Sequence, residues 1–488
     1  MALRSTRPPL AQYSSTAYWA LSLAVCVVFS GILAAAGFPL SSVFLGFVLI
    51  AICGYPTFDY FRVDSKEVPA IPVLSGIFAL QFAMPVFLSQ RRLMLSEGPR
   101  ALPEEAIVHA LILAIIGTVA FITVCRSKLA AATVGQLPAL RLHLNEQRAI
   151  VFCVTVGALG LLAAALFPEA DGVSSQLGAI VRVVRNQMLV AIAVLAWLYY
   201  SSRSRVIGTI WYGMIALAVI AGMSSAFLEA ALAPVGIMFI CQWLYGRRIN
   251  KWLLASVVAV VLFLNPVKAE VRQALWFGSG GTPDASRVEK ALFWLDRATT
   301  HWLGIIQGRA TGNEAAEQLA SRLNMVAMLA WISDQTPEPV PYLEGDTYAF
   351  VTYFLIPRLL WPEKPEARAN KVLSVRYNLT TEAGAERTTF GIGLLGEGYA
   401  NFGAVGVVLI SAVLGLVLVV MMRLFGRADA GAGGAAILIS FFIYFLNGMG
   451  SSAEILFGNL FQSMLASYLL LYWAAEKHPA RSRVVRQR

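Results

Sequence analysis

Two short stretches hold the side chains best suited to chemistry. In IPRLLWPEKP (356–365), Arg358 and Lys364 sit among Pro357, Pro362 and Pro365, with Trp361 between them. In GLLGEGYANFG (393–403), Glu397 is flanked by Gly396 and Gly398 and followed by Tyr399 and Asn401. A guanidinium binds phosphate or carboxylate oxygens as a planar fork, and an ammonium meets the same anions as a point charge. The glycines allow close backbone approach beside the carboxylate. Arg272, Arg322 and Arg387 add cations to the same part of the chain, and His301 is its one histidine. An arginine in a loop is ordinarily solvated or reaches for lipid headgroups. Glu397 has an equally plain alternative, a salt bridge to one of these cations that locks the loop down. The surrounding elements decide between these uses.

Those elements are apolar. The chain of 488 residues is 58% hydrophobic and 14% charged, against roughly 25% charged in soluble domains. Its apolar runs are continuous and about as long as a helix needs to cross roughly 30 Å of hydrocarbon. Spans are predicted at 17–37, 40–57, 69–89, 105–125, 149–167, 186–201, 207–223, 227–245, 252–266, 403–422, 434–449 and 453–474. The first run is too long for a signal-peptide core and is read as an anchor. No strand-like alternation suggests a membrane barrel. The five cysteines fall in or at the ends of apolar runs and form no metal-ligand spacing.

Lys and Arg concentrate in alternate connections, among them SSRSR (201–205), GRRINK (246–251) and the tail 476–488. By the positive-inside rule these connections and both termini are cytoplasmic, with Arg91 and Arg92 as exceptions. The section 267–402 then lies outside, and its 13 Lys/Arg against 15 Asp/Glu leave it nearly balanced. The net charge of +10 therefore belongs to the inner face and implies no nucleic-acid partner. The expected fold is an all-α polytopic integral membrane protein. Residues 1–266 form an N-terminal bundle, 267–402 a large helical external loop, 403–475 the C-terminal spans and 476–488 a basic tail.

Within the loop, EQLASRLNMVAMLAWI (317–332) predicts an amphipathic helix with Leu319, Leu323, Val326 and Ala330 on one stripe, ended by Pro337, Pro339 and Pro341. Asp346 is the expected N-cap of the next helix. Its apolar run is too short to span, which suits an interfacial or re-entrant helix. Pro357 is expected to bend that helix near Arg358. Non-helical backbone at that depth requires protein or a wet cavity around it, so a cavity at the outer membrane surface is expected.

IPRLLWPEKP, followed by TTFGIGLLGEGYANFGAVGVVL (388–409), resembles the bacterial O-antigen, capsule and exopolysaccharide repeat-unit polymerases of the Wzy type. Many spans, one large loop and the Arg-Leu pair of SRLNM (321–325) follow the same order. The motifs cover roughly 321–410, and elsewhere the likeness is one of hydropathy alone. One departure is GMSSAFLEAAL (222–232), which has no arginine where such polymerases often carry a Ser-Arg-Gly turn; Glu229 lies there instead. The resemblance implies a glycosyltransferase C-like membrane enzyme of the bacterial inner membrane, with its site on the periplasmic face. It would transfer a growing glycan from undecaprenyl diphosphate onto the next lipid-linked repeat unit, with no nucleotide sugar, cofactor or metal. A flippase and a chain-length regulator of the same pathway would be partners.

In that chemistry charge grows on the diphosphate leaving group, and arginine and lysine are suited to stabilise it. Arg358, Lys364, Arg322, Arg272 and Arg387 are the expected holders, Glu397 the expected base, and Trp361, Tyr399 and Asn401 the expected sugar contacts. Three other readings remain. An O-antigen ligase shares the donor and would use a loop histidine, for which His301 stands. A flippase or transporter would show repeats and mid-membrane charges, which are not evident. A membrane scaffold would not require the cation-rich turn.

Overall fold

The computed structural model describes residues 13–63, 68–88, 92–167, 175–223, 228–246, 248–268, 270–271, 274, 287–307, 324–356, 361, 363, 368–385 and 390–476. The helices are α1 (Ser15–Ala35), α2 (Leu40–Val63), α3 (Ala70–Phe78) and α4 (Met84–Phe87). They continue as α5 (Glu104–Arg126), α6 (Lys128–Gly135), α7 (Glu146–Leu166), α8 (Ser175–Ser202), α9 (Arg205–Met223), α10 (Leu228–Gly246) and α11 (Lys251–Leu264). Then come α12 (Arg287–Ile306), α13 (Met325–Gln335), α14 (Asp346–Leu355), α15 (Ala369–Arg376) and α16 (Glu382–Ala385), followed by α17 (Leu394–Phe425), α18 (Gly431–Gly448) and α19 (Ala453–Ala474). Among the described residues, nine helices are long and apolar enough to cross a membrane, counting α3–α4 as one, and α10, α11 and α18 are shorter apolar helices. The chain is a multi-pass, mainly helical membrane protein.

Local chemistry sets many of the boundaries. Ser14, Asn145 and Asn250 cap α1, α7 and α11 by accepting backbone N–H groups of the first turn, which satisfies donors that have no partner within the helix. Between α3 and α4 the backbone widens into a π-turn at Ala79–Ala83, just before Pro85. Proline lacks an N–H and crowds the carbonyl four residues back, and the wider turn relieves both.

Burial ranks the spans. The apolar window of α8 is 61% buried and that of α1 only 11%, so α8 is central and α1 peripheral. α8 is also longer than the 186–201 expected. It is fastened by polar side chains: Asn186 Nδ2 donates to Ser463 Oγ (2.8 Å), Ser467 Oγ donates to Gln187 Oε1 (2.8 Å), and Tyr444 Oη donates to the Asn186 carbonyl (2.5 Å). Each such bond between spans contributes about 0.6 kcal/mol.

Beside the helices the structure has one small hairpin. β1 (Arg92–Leu95) and β2 (Gly98–Ala101) pair antiparallel across a turn at Ser96–Glu97, and Gly98, which follows the turn, has a φ of +120° that favours glycine. This hairpin leaves the bundle to grip α13 and its neighbours. Ser96 N–H donates to the Asn378 carbonyl (2.8 Å), and the Arg100 guanidinium lies 5.0 Å from the Trp331 ring centroid.

The loop helices also depart from expectation. α13 starts at Met325, capped by Asn324, whose side chain accepts from Ala327 N–H, so no helix runs through 324; residues 317–323 lie outside the described residues. Every residue from Val326 to Ser333 is buried. The helix is enclosed on all sides, which the one-sided stripe did not suggest. α14 is capped by Gly345 at φ +99°, and Asp346 is its first residue. α14 stops at Leu355, with Ile356 extended (φ −83°, ψ 121°), because a residue before proline is pushed out of the helical region. Pro357 and Arg358, where a bend was expected, lie outside the described residues.

α17 begins well before the span expected from 403. It is broken at Phe402 (φ −141°, ψ 20°) and Gly403 (φ +62°, ψ −146°), a region of backbone space used almost only by glycine. Around the break the chain folds back so tightly that a Cβ on Gly406 would lie 1.9 Å from the Gly398 carbonyl oxygen. Gly406→Ala is expected to lower the thermal midpoint of the purified protein by several degrees, against little change for Gly213→Ala, whose added Cβ meets nothing within 4 Å.

Candidate functional site

The short first segment of α17, Leu394–Asn401, places Glu397 inside the protein with 0% of its surface exposed. Its Oε2 accepts the backbone N–H of Ala453 at 2.6 Å. Ala453 is the first residue of α19, so the carboxylate takes an otherwise orphan donor at the positive end of that helix. Oε1 is buried and has no hydrogen-bond partner among the described residues. Thr347 of α14 lies against the same carboxylate.

Asn401, one turn further, ties α14 to this segment. Its Oδ1 accepts Gly345 N–H (3.0 Å), and its Nδ2 donates to Thr347 Oγ1 (2.8 Å) and to the Glu397 carbonyl (2.8 Å). Leu343 N–H and Glu344 N–H donate to the Ala400 and Asn401 carbonyls. The Tyr348 ring stacks on Phe402 with centroids 6.2 Å apart. Burial, with the Glu397 carboxylate nearby, pushes the Tyr348 hydroxyl well above the usual tyrosine pKa.

A second buried carboxylate continues the pattern. Glu454, in the first turn of α19, is also 0% exposed, and its Oε2 accepts the backbone N–H of Ala369, the first residue of α15, at 3.3 Å. Thus α17 holds the start of α19, and α19 holds the start of α15. Sequence reasoning missed Glu454. The signal was SSAE (451–454), a Ser-x-x-Glu pattern ahead of an apolar run. That pattern ordinarily marks a solvated helix start; here α14 packs on α19, and the start of α15 is bonded to the carboxylate.

Tyr399 is 7% exposed, edge-on to His109 of α5 (5.9 Å) and 6.4 Å from Tyr342. Nearby, Arg376 Nη2 donates to the Pro341 carbonyl (3.0 Å), and Trp331 Nε1 donates to the Tyr377 carbonyl (2.8 Å). The Tyr377 hydroxyl pairs with Thr336 Oγ1 at 2.7 Å, and burial raises its pKa. Trp361 meets Tyr353 of α14 edge-on at 5.7 Å. The structure therefore gathers Glu397, Tyr399 and Asn401 on one segment and Trp361 on the α14 side. Arg272, Arg322, Arg358, Lys364 and Arg387 lie outside the described residues. His301 is elsewhere: α12 packs on α9 and α11, with the His301 ring edge-on to Trp302.

Two expectations change here. Glu397, seated as a helix cap with no exposed surface, does not stand open to take a proton. Asn401 spends its whole amide on protein partners. A cleft of about 10 Å³ lies beside Phe82, Met325, Gly393 and Met449, and the turn that would line the expected outer cavity is outside the described residues. A larger cavity, about 230 Å³, lies at the opposite end of the bundle beside Asp59, Arg126 and Met422.

The sequence profile of a family described as a domain of unknown function, DUF8712, matches residues 104–478. The chain belongs to the DUF8712 family. No curated protein and no solved structure matches it. The DUF8712 region opens at Glu104, the first residue of α5, and so contains Glu397, Asn401 and Glu454 with every helix that they join.

Glu397→Ala leaves the Ala453 N–H buried without an acceptor and is expected to cost about 1.5–3 kcal/mol. Glu397→Gln keeps a carbonyl oxygen for that N–H and is expected to cost less. Thermal denaturation of the two variants in one detergent checks the order.

Proposed function

We propose that this chain is a membrane glycosyltransferase that lengthens a glycan carried on a polyprenyl diphosphate, in the manner of the repeat-unit polymerases that its motifs resemble. The observation that carries the reading is the clasp between the Gly-Glu-x-Tyr-x-Asn motif and α14. Asn401 of that motif is bonded to Gly345 and Thr347 at the start of α14, the helix that precedes the Pro-Arg…Trp-Pro-x-Lys-Pro stretch in sequence. Residues distant in sequence are thus joined, as one site would require.

In this reading α10, α11 and α18 count as spans, which makes twelve, and the Lys/Arg bias puts both termini in the cytoplasm. Helices α12–α16 then lie on the periplasmic side of the inner membrane, in a glycosyltransferase C-like arrangement. Arg358 and Lys364 hold the lipid diphosphate at headgroup depth and stabilise the charge that develops as the glycosyl bond breaks. Glu397, fully buried with its carboxylate on the first N–H of α19, is assigned a positioning role, fixing α14 and α19, in place of the proton-accepting role expected from the motif.

Elongation of a purified lipid-linked repeat unit by the reconstituted protein tests the proposal, with product length read on a gel. A ladder is expected without nucleotide sugar and in the presence of chelator. Arg358→Ala is expected to reduce it about 10²-fold or more, while Glu397→Gln retains it. No ladder from the wild type, or movement of the repeat unit across the bilayer without elongation, would overturn the polymerase reading. Transfer to a lipid A core acceptor would make the protein a ligase.

A further inference from the structure

α12 is not one of the apolar spans, yet it is apolar around about half of its circumference at about 100° per residue. Part of that arc is covered. Trp294 and Ala298 are 0% exposed and pack with Leu264 and Val267 at the end of α11. The Trp294 indole N–H donates to the Leu264 carbonyl (3.1 Å), and the Trp302 indole N–H to the Phe263 carbonyl (3.0 Å). These two bonds satisfy carbonyls that the last turn of α11 leaves open, and they hold α12 against that end.

The rest of the arc is bare. Leu292, Leu295, Leu303 and Ile306 are 57%, 42%, 48% and 78% exposed and, with Thr299 between them, form one stripe at helical spacing. The polar residues lie on the remaining side: Glu289, Lys290, Asp296 and Arg297, the last ion-paired to Glu270 at 3.1 Å.

We propose that this stripe is seated in the lipid of the bilayer interface at the C-terminal end of α11. Lipid is the occupant for two reasons. First, the helix whose end α12 covers has a bare apolar side of its own, with Leu254, Val258 and Leu262 41%, 49% and 47% exposed. Second, the lengths agree. The 14 residues of α11 rise about 21 Å, short of the roughly 30 Å of hydrocarbon. A helix lying across its end, about 10 Å in diameter, fills the difference. An amphipathic helix in that position buries its apolar face about 5–10 Å into the headgroup and acyl boundary. This seat does not rest on the proposed reaction.

Nitroxide labels on Ile306→Cys and Thr300→Cys, in the full-length protein reconstituted in phosphatidylethanolamine and phosphatidylglycerol vesicles, test it; the two sites lie about 120° apart around the helix. Five native cysteines are present, four of them buried, and unsubstituted protein carried through the same labelling gives the background. The label at 306 is expected to collide preferentially with oxygen, and the label at 300, on the exposed polar side, with a water-soluble nickel chelate. Leu303→Cys repeats the lipid-facing measurement if the first variant does not fold. Nickel access at both 303 and 306 would overturn the proposal. So would spin–spin broadening at those sites that vanishes on dilution with unlabelled protein, because a second copy would then cover the stripe.

Discussion

The arrangement around α14, α17 and α19 depends on one interaction, the Glu397 carboxylate bonded to the first N–H of α19. A buried carboxylate is costly unless it is paired or hydrogen-bonded. A helix N-terminus supplies both a free donor and a favourable dipole. The bond therefore needs the first turn of α17 and the start of α19 to meet at one place. Asn401 extends the constraint to α14, and Glu454 extends it to α15. Four helix starts are fixed relative to one another by three buried polar side chains.

The break at Phe402–Gly403 lets this happen. Below it, α17 follows the requirements of a span: apolar, continuous and packed against α5. Above it, the same helix is free to turn its glutamate and asparagine inward. The backbone conformation at Gly403 is one that other residues rarely adopt, and the close approach of Gly406 to Gly398 leaves no room for a side chain. The glycines of GLLGEGYANFG thus let the helix fold over itself, besides any access they give to a ligand.

The β-hairpin and α12 make a related point about segments that are not among the apolar spans. Each is attached through donors that find an open carbonyl: Ser96 N–H on Asn378, and the two indoles on the end of α11. An unsatisfied carbonyl near hydrocarbon is expensive. Segments that cap one are therefore held in place: α12 at the end of the span α11, and the hairpin just past the loop helix α15.

Composition and hydropathy alone determined that the chain is a multi-pass helical membrane protein and placed most of its apolar helices, because the length and continuity of apolar runs answer directly to the bilayer. Local rules found the prolines that end α13 and α14 and the motif segment around Glu397. They did not find the hairpin, the enclosure of α13 or the burial of Glu454, and for Glu397 they offered a base or a salt bridge but not a helix cap. Each of those depends on a partner distant in sequence: Asn378 for Ser96, the hairpin for Trp331, Ala369 for Glu454 and Ala453 for Glu397. A carboxylate in GEGYAN reads the same whether it faces solvent, a substrate or a helix end. Only the packing of α19 and α14 around it decided that it caps a helix.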